Sequence, residues 1–233
     1  MTERGKYIKT AFTLAEVLIT LGIIGVVAAI TLPNLIMAQK AHRLRSQFLK
    51  SYSTIQQAFR QMEADDISTD PASYAKKMGS FYKTFKSYFK GAHECGYYLE
   101  TQKTLPCFDW QSKTYKSFDG NSTIDRDYFT DGQIVLPDGT LIMIDNPNWG
   151  DFVYIFVDIN GYKSLPNRLG YDLFAFHFVD GELKTMGDTG TQYKNIEVYC
   201  NLSQTNNSFN GLACAHRAKN ESDYFKWVVK NVK

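Results

Sequence analysis

A chain of 233 residues, 44% apolar and 21% charged, is long enough for one or two domains and apolar enough to bury a core, which excludes a disordered segment. A formal charge of +2 excludes nucleic-acid binding through a global basic field. Mean hydropathy is negative although one long apolar run is present, so the rest of the chain is distinctly polar.

Residues 1–11 carry Arg4, Lys6 and Lys9 against Glu3, and the remainder is close to neutral. From Phe12 to Leu32 the only charge is Glu16. As a helix this run reaches about 31 Å, against about 30 Å for a hydrocarbon core. The basic head keeps the N-terminus cytoplasmic and places the larger C-terminal part outside the inner membrane. An ordinary secretory signal is shorter and is cut after its apolar core at a small-residue site; here Pro33 and Asn34 follow instead. A plain signal anchor explains length and orientation but not Glu16. A charge at mid-membrane costs about 3 kcal/mol, so an intramembrane acid points to function and calls for a cationic partner.

Pro33 lacks an N–H and clashes with the carbonyl of Ala29, so a kink or loosening is expected there. The helix should nevertheless continue. Leu44, Phe48, Tyr52, Ile55, Phe59 and Met62 recur at spacings of three and four, with Arg43, Arg45, Lys50 and Arg60 mainly off that face. One helix from about Thr13 to about Ala64 is predicted, apolar throughout its first half and amphipathic in its second.

The stretch "AFTLAEVLITLGIIGVVAAITLPNL" resembles the N-terminus of type IV pilins and of the pseudopilins of type II secretion. The resemblance covers about the first 35 residues. It implies a leader, residues 1–11, cut by a prepilin peptidase between Ala11 and Phe12, with the new amine at Phe12 methylated. It implies an assembly helix over residues 12–36 and an extracytoplasmic head over 37–233. Phe12, Glu16 and Pro33 match the family pattern; Ala11 stands where glycine is usual. In this reading Glu16 pairs with the Phe12 ammonium of a neighbouring subunit, two charges costly in lipid that neutralise only in the correct register. Gly22, Gly25, Ala28 and Ala29 offer small surfaces for close helix approach. The implied partners are the peptidase, copies of the chain or other pilin-like subunits, an inner-membrane assembly platform, and membrane lipid before assembly.

After a polar break, Tyr74, Met78, Phe81, Phe85 and Tyr88 have helical spacing, interleaved with Lys76, Lys77, Lys83, Lys86 and Lys90. Such a segment can stack and contact single-stranded nucleic acid. A short amphipathic helix with inward rings and solvated lysines accounts for the same pattern, and nucleic acid is not expected as a partner. The four cysteines fall into local pairs, Cys95 with Cys107 and Cys200 with Cys214, without CxxC spacing. In an oxidising compartment two disulfides are expected, each contributing about 3 kcal/mol; four reduced, buried thiols are the alternative.

Strands follow. "QIVLPDGTLIMID" reads as a hairpin around Pro-Asp-Gly, "DFVYIFVDIN" as a strand, and "DLFAFHFVDGELKTM" as a hairpin turning at Asp180-Gly181. Helix first and antiparallel strands after predict an α+β fold, a small sheet packed on the amphipathic half of the long helix. "VDINGYKSLPNRLGYDLFAF" is a second point of similarity to pilin-like heads. Its Asp158, Asn160, Asn167 and Asp172 are oxygen donors that could surround a hard cation such as calcium. The preferred alternative is that they cap tight turns, and no cofactor is required. The histidines are scattered and no hydrolase, zincin or phosphate-loop motif occurs, so an enzyme is not expected. A structural pilus or pseudopilus subunit is the leading reading. A minor pilin binding DNA or a surface ligand, and a membrane-anchored protein that never polymerises, are the alternatives.

Overall fold

The structure is a computed structural model and describes residues 13–75, 79–97, 104–109, 111–112, 114–146 and 152–232. The chain divides into two compact units, Met1–Gln39 and Lys40–Lys233, and helix α1, Leu14–Ala64, contributes to both.

In the first unit, α1 is a single apolar helix whose described residues are exposed apart from a half-buried Ala28. It is the one helix among the described residues long and apolar enough to cross a membrane. Its assignment runs through Pro33 unbroken, as expected for one long helix.

In the second unit, the rest of α1 buries Ala41, Leu44, Phe48, Ser51, Ile55, Ala58, Phe59 and Met62, the three-and-four spacing read from the sequence. The sheet beside it is antiparallel, in the order β1 (His93–Gly96), β2 (Gly132–Val135), β3 (Leu141–Asp145), β4 (Val153–Asp158), β5 (Leu173–Val179) and β6 (Glu182–Thr185). The helix packs on β5: Phe48 meets Phe174 edge-on at 4.7 Å, and Phe59 stacks on Phe178 at 4.2 Å. Each such fully buried ring is worth about 2–3 kcal/mol. The chain is therefore α+β with a helix packed on an antiparallel sheet, as predicted. The β5–β6 hairpin turns through Asp180 (φ 56°) and Gly181 (φ 74°), the left-handed pair that a two-residue turn between right-twisted strands requires.

Three features differ from expectation. The predicted helix over Tyr74–Tyr88 is broken. Within it, helix α2 covers only Ser80–Phe85 and begins after Gly79, whose φ of 70° is left-handed and whose Cβ would strike the Tyr97 ring; a 3-10 turn, Lys86–Tyr88, follows. Lys76, Lys77 and Met78 lie outside the described residues. Secondly, both faces of the sheet are buried. Ile142, Ile144, Ile155, Val157, Phe174 and Phe176 face α1, while Leu141, Met143, Tyr154, Phe156, Leu173 and Ala175 join a second core on the far side. That is why these strands read as unbroken apolar runs. Lastly, helices α3 (Ile196–Tyr199), α4 (Cys214–Asn220) and α5 (Tyr224–Asn231) close the chain, where no helix was expected.

Candidate functional site

The N-terminal site is the first turn of α1. Glu16 does not stand there bare. Its Oε2 accepts the Thr13 N–H and the Thr13 hydroxyl, each at 2.8 Å, and the Glu16 N–H donates back to Thr13 Oγ1 at 3.2 Å. This is a capping box, which satisfies two amides that no helical carbonyl can reach. The "TLAE" spelling is its signature, a Thr followed three residues later by Glu, and it gives Glu16 a local role that the reading of the membrane charge overlooked. Ala11 and Phe12, the expected cleavage and methylation position, lie outside the described residues. Gly22 and Gly25 have nothing within 4 Å of where a Cβ would stand, so these small positions on α1 are open.

The second site is the loop joining β4 to β5. Asp158, Asn167 and Asp172 are fully buried. Asp158 accepts the Tyr115 hydroxyl at 2.7 Å on Oδ2 and the Asn160 N–H at 3.3 Å on Oδ1. Asp172 accepts the Arg168 N–H at 2.6 Å on Oδ1; its Oδ2 takes the Asn167 N–H at 3.0 Å and the Asn160 side-chain amide at 3.4 Å. Every carboxylate oxygen here holds a donor, and Asn167 sits at a left-handed φ of 55° to deliver its own. The hydrogen bonds are those of turn capping. Burial raises both carboxyls above the ordinary range, Asp172's charge raises Asp158 further, and burial beside Asp158 lifts the Tyr115 phenol well above its usual value.

The same four residues have the donor type that suits calcium, and Asn160 Oδ1 and Asn167 Oδ1 are buried without a partner. A measurement separates the two roles. Adding millimolar calcium is expected to shift Tm equally in Asp158→Asn and in the unsubstituted protein. A shift that the substitution abolishes would assign the ion to this loop.

The cysteines form the two local disulfides expected, Cys95–Cys107 and Cys200–Cys214. His93 lies beside the first pair, but bridged sulfurs are not thiolates and leave no zinc ligand set there. In the lysine-aromatic segment Tyr74, Phe81 and Phe85 are buried and stack among themselves and on Phe59, so those rings are not free to stack on bases. Lys86 pairs with Glu94, and Lys83 lies 4.8 Å over the Tyr97 ring.

Two histidine environments were not legible in the sequence. His177 on β5 is buried, and that burial pushes its imidazole down to about 4. His216 on α4 pairs with Asp188, which also accepts the Thr185 N–H and hydroxyl. The Thr185 hydroxyl is committed to that carboxylate, so the group supplies no activated nucleophile.

No family model, no curated protein and no solved structure matches this chain.

Proposed function

We propose that this chain is a structural subunit of a pilus or pseudopilus, cut by a prepilin peptidase between Ala11 and Phe12, methylated at Phe12, and assembled through its N-terminal helix. Before assembly it sits in the inner membrane with its N-terminus cytoplasmic and its head outside. One observation carries the reading. A single helix, Leu14–Ala64, has an exposed apolar first part holding one carboxylate and a second part that is the core helix of a folded head. A plain signal anchor needs neither the carboxylate nor continuity with a core helix. The DNA-binding alternative gains no support, since most of its described stacking rings are used in packing.

Processing tests the proposal. Co-expression with a prepilin peptidase should remove residues 1–11 and leave Phe12 as the new N-terminus by intact mass. Ala11→Gly should be cut at least as fast. An uncut chain, or a cut beyond Leu32, would remove the assignment.

A further inference from the structure

The part of α1 that enters the head carries charge of one sign. From Ala38 to Met62 there are five basic residues, Lys40, Arg43, Arg45, Lys50 and Arg60, and no Asp or Glu. Beyond Met62 the balance reverses, with 18 basic against 22 acidic residues. A chain close to neutral overall has gathered positive charge onto one stretch of helix. Three of the five, Lys40, Arg43 and Arg45, fall within eight residues of Met37, the last large apolar residue of the exposed run.

These three are not neutralised within the head. Lys40 Nζ lies 5.1 Å over the Tyr171 ring, and Arg45 donates to the Ser222 carbonyl, so both partners are uncharged. Arg43 is exposed and has no hydrogen bond or ion pair among the described residues. No described carboxylate pairs with any of the three. Lys50, by contrast, pairs with Asp138 at 2.6 Å, and Glu221, next to Ser222, is taken by Arg217. Ala41, Leu44 and Phe48 form the buried stripe here, with Lys40 and Arg45 half-buried and Arg43 exposed. A helical side chain leans toward the N-terminus of its helix, which is the direction of the apolar run. At about 1.5 Å per residue the three follow Met37 by about 5–12 Å. That is comparable with the Debye length of about 8 Å over which a charged membrane surface acts.

We propose that Lys40, Arg43 and Arg45 form a collar that binds anionic phospholipid headgroups on the extracytoplasmic face of the membrane before assembly. This inference rests on the membrane orientation proposed above. Basic residues are ordinarily sparse on that side of a span, so three without an internal counter-charge call for an external one. Headgroup phosphates supply it, and the long basic stems can reach back along the helix to meet them. The Arg guanidinium groups add paired N–H donors that fit phosphate oxygens.

Native mass spectrometry of the full-length protein in neutral detergent, given equal amounts of phosphatidylglycerol and phosphatidylcholine, tests the collar. The expected result is bound phosphatidylglycerol in excess, with the excess falling as salt rises. Arg43→Gln should lower that excess about fivefold, and the triple variant Lys40→Gln, Arg43→Gln, Arg45→Gln more than about twentyfold. Arg60→Gln, the same change of charge farther along α1, should leave it unchanged. The leader's cations are common to all these proteins, so differences among them report the collar. Arg43 has no bonded partner to lose, so its substitution should leave Tm unchanged and cannot act through the fold. An equal preference in the parent and the triple variant would overturn the collar. So would a loss in Arg60→Gln as large as that in Arg43→Gln. A triple variant that keeps its lipid preference but no longer self-associates would overturn it too, assigning the cations to the acidic surface of another copy. Flotation with phosphatidylcholine vesicles after an alkaline wash keeps the two readings apart. A chain that fails to float refutes the span and the collar with it; a chain that floats without headgroup preference refutes the collar alone.

Discussion

Glu16→Ala is expected to abolish filament assembly while leaving membrane insertion and leader cleavage intact. Removing the charge eases insertion, since a carboxylate in hydrocarbon costs about 3 kcal/mol. The loss falls on assembly, where the Phe12 ammonium of an incoming subunit would be left unpaired in an apolar environment, at about 3–5 kcal/mol. The capping box supplies a competing explanation, because alanine also releases the Thr13 amide and hydroxyl, worth about 0.5–2 kcal/mol. Glutamine separates the two. It serves at the third helical position of a capping box as glutamate does, but it carries no charge. The register mechanism predicts that Glu16→Gln assembles poorly; a capping role alone predicts that it assembles normally. Filament yield, membrane content and intact mass are the three readouts. Normal assembly of Glu16→Ala would reduce the residue to a tolerated cap, and failed insertion would place its role before assembly.

Asp172→Ala is expected to destabilise the head by about 4 kcal/mol, since it strands the buried Asn167 and Arg168 amides and one Asn160 side-chain donor. For a chain of this size that is a fall in Tm of about 10 °C. Asp172→Asn should cost less, because an amide oxygen still accepts. The same loop gives a pH dependence of known sign. Both carboxyls titrate higher folded than unfolded, so the folded state holds more protons above about pH 4. The pair's contribution to stability is present below the unfolded value and is lost as pH rises through the raised folded values. Asp158→Asn removes one titrating group and the repulsion between the two. Its Tm should therefore fall less than that of the unsubstituted protein between about pH 5 and about pH 8. Parallel curves would mean that the two charges are already compensated.

Much of this protein is local and was open to reading from the sequence. The apolar run with its lone acid, the three-and-four spacing from Leu44 to Met62, the Asp180-Gly181 turn and the short loops between paired cysteines each depend on neighbours along the chain. Their periods and spacings reflect backbone geometry that holds in any fold. The capping box was equally local, in "TLAE", and was passed over because the acid drew attention as a charge. Tertiary structure decided the rest. The Tyr74–Tyr88 segment is interrupted at Gly79, whose left-handed φ of 70° no right-handed helix accommodates and whose missing Cβ leaves room for the Tyr97 ring. The sheet is buried on both faces because segments distant in sequence cover the side away from α1. Asp158 and Asp172 were noticed together because one turn holds both, but only the folded loop assigns a donor to each oxygen. Asp131 and Asp145, each unremarkable alone, become a pair through the register of β2 against β3. Strand register sets which charges are buried side by side, and it is fixed by packing across the whole head rather than by any one segment.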